Sequence, residues 1–319
     1  MDNLHLGLPI IEVESLVKRY KKAETNAVDG ISFKVQPGEF FAFLGPNGAG
    51  KTTTISILTT TLSSTSGAVR VAGRDISREA ATVRQNVGII FQKPSLDQNL
   101  TAEENVRLHT ILYGLYPFRP AYGLMPAAYR RQVGELAELL GIERDLFTPV
   151  KTLSGGMQRK LEIVRSLMHR PTVLFLDEPT AGLDAASRRS LWEYLQQARR
   201  ESGTTIFLTT HQLDEAESAD RVCIIHAGRI LLEGTPAELK ARLTEAYLVV
   251  DAAESQHETL RRELDRLGLR VVAAPPFKVA LNGSTVQEVI RSIQTPLTLV
   301  RTLAPSLEEA YLAIVKETT

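Results

Sequence analysis

Residues 45–53 read GPNGAGKTT, that is Gly45, Pro46, Asn47, Gly48, Ala49, Gly50, Lys51, Thr52 and Thr53, and fit the pattern G-x-x-x-x-G-K-[ST]. The run before them, FFAFL, is short, apolar and aromatic, as a buried parallel strand is, and the run from Thr53 to Leu58 can open a helix. Strand, glycine loop and helix are the context in which such a loop holds phosphate. Glycines let backbone N–H groups come up to phosphate oxygens, and the helix N-terminus adds unpaired donors and a favourable dipole. Lys51 can then reach the β- and γ-phosphates, while the Thr52 hydroxyl is placed for Mg²⁺. Alone, the loop says nucleoside triphosphate or a similar phosphate. A glycine turn before a helix with a chance lysine is the plain alternative.

Further along, PTVLFLDEPTAGLD puts Asp177 and Glu178 straight after an apolar strand. Two adjacent carboxylates there can divide labour, Asp177 on Mg²⁺ and Glu178 polarising a water. The alternative is an acidic strand end facing solvent. In KTLSGGMQRKLEIVRSLMHRP, Ser154, Gly155 and Gly156 precede a helix, which is either a second anion-ready helix N-terminus or a simple serine-glycine cap. Gln92 follows the apolar run VGIIF, and His211 follows TTIFLTT. Both sit at carboxyl ends of predicted strands, where ligands of open α/β sheets bind, although a loop glutamine or structural histidine would look the same. Tyr20 ends a predicted strand and is either a platform for a nucleotide base or an exposed tyrosine.

Composition narrows the class. The chain has 319 residues, 43% hydrophobic and 23% charged, enough for one large domain and one small one. Lys plus Arg and Asp plus Glu are equal at 37 each, so bulk charge gives no reason to expect a nucleic-acid partner. The single Cys223 lies in the apolar run RVCII, as a buried small residue does, and one cysteine cannot form an internal disulfide. MDNLHLGLPI lacks the charged-then-apolar pattern of a secretory signal. No apolar run approaches the roughly 20 residues of a membrane helix, so a role at a membrane is expected to run through a partner.

The remaining segments set the organisation. Strands are expected at Ile10–Tyr20, Ala27–Val35, Ala68–Val71 and Val87–Phe91. The strand pattern then gives way to helices: Thr101 with Glu104 forms a capping box, and residues 130 to 140 have amphipathic spacing. Between them, ILYGLYPFRPAYGLMPAAY carries five aromatics, suited to a contact surface or to packing within a helical subdomain. A helix is expected from about Ala185 to Arg200, two strands joined at Ala227 and Gly228, and a helix start at Thr235, Pro236 and Glu238. YLVVDAA, Glu254–Leu267, RVVAA, FKVAL, STVQEVIRSIQ and LTLVRTL then read as β-α-β-β-α-β, the split ferredoxin-like pattern, before a last helix capped by Ser306 with Glu309.

Tyr20, GPNGAGKTT, Gln92, LSGGMQR, VLFLDEP, GLD and His211, in that order, resemble the ATP-binding subunit of ABC transporters over roughly residues 10 to 235. The resemblance implies an α/β fold: a P-loop NTPase core with a mixed sheet and a helical subdomain, plus a small α+β ferredoxin-like C-terminal domain. Expected boundaries are 1–240 for the ATP-binding domain, with the helical subdomain at about 93–165, and 241–319 for a regulatory or dimerisation domain. It also implies two copies paired head to tail, each ATP lying between the phosphate loop of one and Ser154, Gly155 and Gly156 of the other. By position, Tyr20 corresponds to the base-stacking aromatic, Gln92 to the glutamine sensing Mg²⁺ and water, and Glu178 to the catalytic base. Asp184 corresponds to the dimer-contact aspartate and His211 to the γ-phosphate histidine. The helical segment after Gln92 corresponds to the docking surface for membrane permease subunits, which places the chain at the cytoplasmic side of the cell membrane. YRRQVGELAELLGI, GGMQRKLEIVRSLMHRP and PSLEEAYLAIV further resemble the branch that exports drugs and polysaccharides. The rival expectations are a soluble ABC ATPase unconnected with transport and a module that holds ATP without hydrolysing it; Glu178 and His211 together argue against the second.

Overall fold

The computed structural model describes residues 7–91, 95–243, 247–273, 275–281, 284–303, 307 and 311. The chain falls into two compact units, Met1–Glu233 and Gly234–Thr319. In chain order the first unit opens with β1 (Ile11–Lys18), β2 (Val28–Val35), β3 (Phe40–Leu44), α1 (Lys51–Leu58), β4 (Ser66–Val71), β5 (Arg74–Asp75), α2 (Ala80–Asn86) and β6 (Val87–Ile90). Three helices follow, α3 (Ala102–Leu112), α4 (Ala127–Leu139) and α5 (Gly155–Leu167). Then come β7 (Val173–Asp177), α6 (Ala185–Ser202), β8 (Thr205–Thr210), α7 (Leu213–Ala216), β9 (Arg221–His226) and β10 (Arg229–Gly234).

Two sheets form. The first, in the order β2-β1-β4-β5, is antiparallel; the second runs β10-β9-β3-β8-β7-β6, parallel from β9 to β6. FFAFL is buried at all five positions, as a parallel strand covered on both faces must be. Phe33 of the first sheet stacks on Phe41 of the second at 5.6 Å, and Phe41 on Phe207 at 5.4 Å, each pair adding about 0.5–1.5 kcal/mol beyond area burial. Trp192 of α6 stacks on Phe40 on the opposite face at 5.8 Å.

Strand order is what assembles the site. Because β8 lies between β3 and β7, with Leu44 opposite Thr210 and Asp177 opposite Thr209, the segments leaving β3, β7 and β8 emerge at one carboxyl edge. Thr101 and Glu104 make the expected capping box on α3. α1 begins at Lys51, two residues earlier than the sequence suggests. β5 and α2 were not anticipated; they are two and seven residues long, too short to leave a periodic signal.

The second unit contains α8 (Pro236–Leu243), β11 (Tyr247–Ala252), α9 (His257–Arg266), β12 (Phe277–Ala280), α10 (Val286–Ser292) and β13 (Leu297–Leu303). Thr235 and Glu238 exchange hydrogen bonds of 2.9 and 3.2 Å in the expected capping box. The sheet order is β12-β11-β13, all antiparallel, with α9 and α10 supplying Leu260, Leu264 and Val289 to its core. The RVVAA strand is a correction: only Val271 forms a bridge, to Val279, with backbone bonds from Val272 to Lys278 and from Ala280 to Arg270. Pro275 and Pro276 carry no N–H, so the ladder cannot extend toward the turn. Val271 occupies the outer position beyond β12, which preserves the split β-α-β order of the ferredoxin-like arrangement. Ser306 and Glu309 lie outside the described residues.

Candidate active site

The loop 45–53 passes tightly against other backbone segments at Gly45 and Gly50, while Gly48 between them faces open space. A Cβ on Gly45 would lie 2.3 Å from the Ile225 carbonyl, and one on Gly50, where φ is +105°, 2.5 Å from the Ala27 carbonyl. Lys51 opens α1, is only 5% exposed, and donates from Nζ to the carbonyls of Gly45 at 2.7 Å and Pro46 at 3.1 Å. Burial lowers its pKa, partly offset by Glu178 and Asp177.

Asp177, 1% exposed at the end of β7, accepts on Oδ1 from the hydroxyls of Thr209 and, at 3.4 Å, Thr52. Its Oδ2 is buried with no hydrogen-bond partner among the described residues, and burial raises its pKa. An orphaned carboxylate oxygen beside a threonine hydroxyl fits a hard cation that takes few protein ligands and keeps waters. No group of three or more His, Cys, Asp or Glu able to hold a metal occurs among the described residues.

Glu178 stands in left-handed backbone, φ +48°, with its N–H on the Thr209 carbonyl at 3.0 Å. Its Oε1 is 3.0 Å from His211 Nδ1 and 3.7 Å from Lys51 Nζ. Half-exposed His211 and buried Lys51 therefore converge on one carboxylate at the mouth of the loop. Tyr20 is 46% exposed, its hydroxyl is 3.3 Å from Thr53 Oγ1, and Lys18 Nζ stands over its ring, 5.5 Å from the centroid.

A cavity of about 370 Å³ is lined by Ala27, residues 46–48 and 50–53, and Glu178, while Tyr20, Asp177 and His211 stand outside its lining. Ser154, Gly155, Gly156 and Asp184 do not line it. Ser154 caps α5, its Oγ accepting from the Met157 N–H at 3.3 Å. Asp184 caps α6 through two bonds from Ser187 of 2.8 and 2.6 Å, which hold its pKa down at about 2, and lies 3.9 Å from Lys160 Nζ. Gln92 lies outside the described residues. Two supports were missed in the sequence. Thr209 reads as an ordinary strand residue yet bonds Asp177, and Glu215 of α7 accepts from Thr180 and Thr210, tying the segment after Asp177 to the strand that ends before His211.

A phosphate loop and an acidic strand end around one cavity, with a histidine on the Glu178 carboxylate, define a P-loop nucleoside triphosphatase. The sequence pattern of the ABC transporter family matches residues 28–181. The Nod factor export ATP-binding protein I of Ralstonia nicotianae is 42% identical over 232 residues, 72% of this chain and 68% of that protein. The daunorubicin/doxorubicin resistance ATP-binding protein DrrA of Streptomyces peucetius is 41% identical over 258 residues, 81% of this chain and 74% of its own length. Among solved structures, a dimeric post-hydrolysis ATP-binding cassette holding ADP and phosphate superposes with a TM-score of 0.65 at 26% identity, covering 70% of this chain and 98% of that one. The chain belongs to the ABC transporter family, as an ATP-binding and ATP-hydrolysing subunit.

Proposed function

We propose that the chain works as a homodimer with two sandwiched ATP molecules, driving export of a drug, lipid or polysaccharide through separate membrane permease subunits. The observation that carries the chemistry is the carboxylate of Glu178, set between His211 Nδ1 and Lys51 Nζ at the mouth of the phosphate loop. The backbone of residues 45–52 and Lys51 bind the β- and γ-phosphates, and the Tyr20 ring stacks on the base. Thr52 and Asp177, joined by Gln92, are the residues to hold Mg²⁺, which when bound neutralises charge on the phosphate oxygens. Glu178 takes a proton as the water oxygen bonds to the γ-phosphorus and the bond to the bridging oxygen breaks, giving ADP and phosphate. His211 orients Glu178 and contacts the γ-phosphate.

Ser154, Gly155, Gly156 and Asp184 do not line this cavity, and in the proposed dimer a second copy supplies them. Two anionic nucleotides then join two faces, and loss of phosphate releases them.

Export rests on the likeness to two export and resistance proteins over more than two thirds of their length. No helix among the described residues is long and apolar enough to cross a membrane, so attachment at the cytoplasmic face runs through the permeases. Leu112, Phe118 and Leu124, at 83%, 64% and 61% exposure, give the region after α3 an apolar surface for them. Affinity capture of the tagged chain from solubilised membranes tests this: co-purification of multi-helix membrane proteins is expected, and a chain recovered without them contradicts the transport role.

A further inference from the structure

Positions 159, 162 and 165 lie along one face of α5, the helix that begins at the signature residues Ser154 to Gly156. Charged residues at such spacing usually face water. Here Arg159 is 2% exposed and Glu162 not exposed at all. Arg159 donates from Nε to the Pro179 carbonyl at 3.0 Å, and from Nη2 to the carbonyls of Asp177 and Glu178 at 3.2 and 3.1 Å. From Nη1 it donates to the Phe91 carbonyl and, at 2.7 Å, to Glu162 Oε2. These acceptors match the five donors of a guanidinium, a fork that an ammonium group cannot reproduce.

The other two charges hold the far side of the same structure. Glu162 Oε1 accepts from the Ser95 N–H at 3.1 Å, and Arg165 donates to the Ser95 carbonyl at 2.6 Å and to its hydroxyl at 2.8 Å. One helix therefore grips three successive carbonyls around Glu178 together with Phe91 and Ser95, the described residues on either side of Gln92. Glu178 itself is in left-handed backbone, a conformation that persists only when its surroundings over-determine it.

We infer that Arg159 is a positioning residue, and that α5, through Arg159, Glu162 and Arg165, links the signature facing one nucleotide to the hydrolytic residues facing the other, so that the two sites turn over cooperatively. This rests on the homodimer proposed above. In each copy, Ser154 contacts the partner's ATP while Arg159 of the same helix holds the backbone of that copy's own Glu178. A shift of the helix on closure is carried directly to the carboxylate, with no flexible linker between.

The test is steady-state hydrolysis and equilibrium ATP binding by the full chain carrying Arg159→Lys, and separately Arg165→Lys at the more exposed end of the cluster. Misplacement of Glu178 by about 1 Å predicts a fall in kcat of about 100-fold for Arg159→Lys and about 10-fold for Arg165→Lys, with ATP affinity within about twofold of wild type. The Hill coefficient for ATP falls toward 1. Unchanged kcat and cooperativity in a folded Arg159→Lys protein overturn the inference. If that variant does not fold, the same result in Arg165→Lys does so. Loss of kcat with cooperativity retained overturns the coupling, and an equal loss of affinity and kcat reduces the cluster to a structural role. Glu178→Gln alone reports on the dimer separately: failure of that variant to dimerise with ATP removes the foundation, whatever Arg159 does.

Discussion

Replacing Lys51 by methionine removes one buried positive charge while keeping side-chain length. Burial lowers the Lys51 pKa despite Glu178 and Asp177 nearby, so the charge is held at a desolvation cost. Against that gain, the Gly45 and Pro46 carbonyls lose their contacts to Nζ at 2.7 and 3.1 Å, and two carboxylates lose a compensating cation. The terms oppose, so the protein without ATP should change by about 1 kcal/mol or less, roughly 3 °C in melting temperature. Nucleotide binding behaves differently. At ATP one hundred times its Kd, the wild type gains about 2.7 kcal/mol, roughly 5–10 °C. Losing a charge-assisted bond to phosphate costs about 3 kcal/mol, or about 150-fold in Kd. At the same ATP concentration the variant then gains about 0.3 kcal/mol, a shift under about 1 °C. Thermal melts with and without MgATP measure both quantities. An ATP-induced shift in Lys51→Met equal to that of the wild type would falsify the assignment of this loop as the phosphate site.

Tyr20→Ala removes a stacking surface worth about 1–1.5 kcal/mol, so ATP affinity should fall about 5- to 12-fold with kcat preserved; an unchanged Kd by titration shows that the ring does not meet the base. His109, beside His169 and Tyr113, has its pKa lowered from 6.5 to about 3 by burial first and then by Arg165 and His169. The unfolded chain therefore binds one more proton than the folded one between these values. Stability from this group is complete above pH 6.5 and declines by about 1.4 kcal/mol per unit as pH falls toward 3. Urea unfolding of His109→Gln from pH 7 to 4 should show a shallower decline than wild type, and parallel curves exclude this histidine as the source.

How far the site was legible depended on how local its physics is. GPNGAGKTT and VLFLDEP could be read because strand, loop and acidic end each lie within a few adjacent residues, and parallel strand order then brings them together. The Ser154 to Gly156 cap was legible as a helix start, but its distance from the loop 45–53 is a matter of assembly, which no run of residues encodes. The Arg159, Glu162 and Arg165 cluster was hidden because charges along a helix face look solvated; only the convergence of α5, β6 and β7 buries them. Thr209 was hidden in TTIFLTT because its hydroxyl matters only through the neighbouring strand that carries Asp177. The lost RVVAA strand shows the reverse case, in which apolar residues favoured pairing and two prolines without donors limited it to one bridge.

The most direct measurement is the molar mass of the Glu178→Gln protein by sedimentation, with and without MgATP. A chain of 35.2 kDa whose nucleotide site needs a second copy should double to about 70 kDa when ATP binds and cannot be hydrolysed, and Ser154→Arg in the same background should prevent it. A mass that does not respond to ATP, at concentrations where the nucleotide is demonstrably bound, contradicts the shared site.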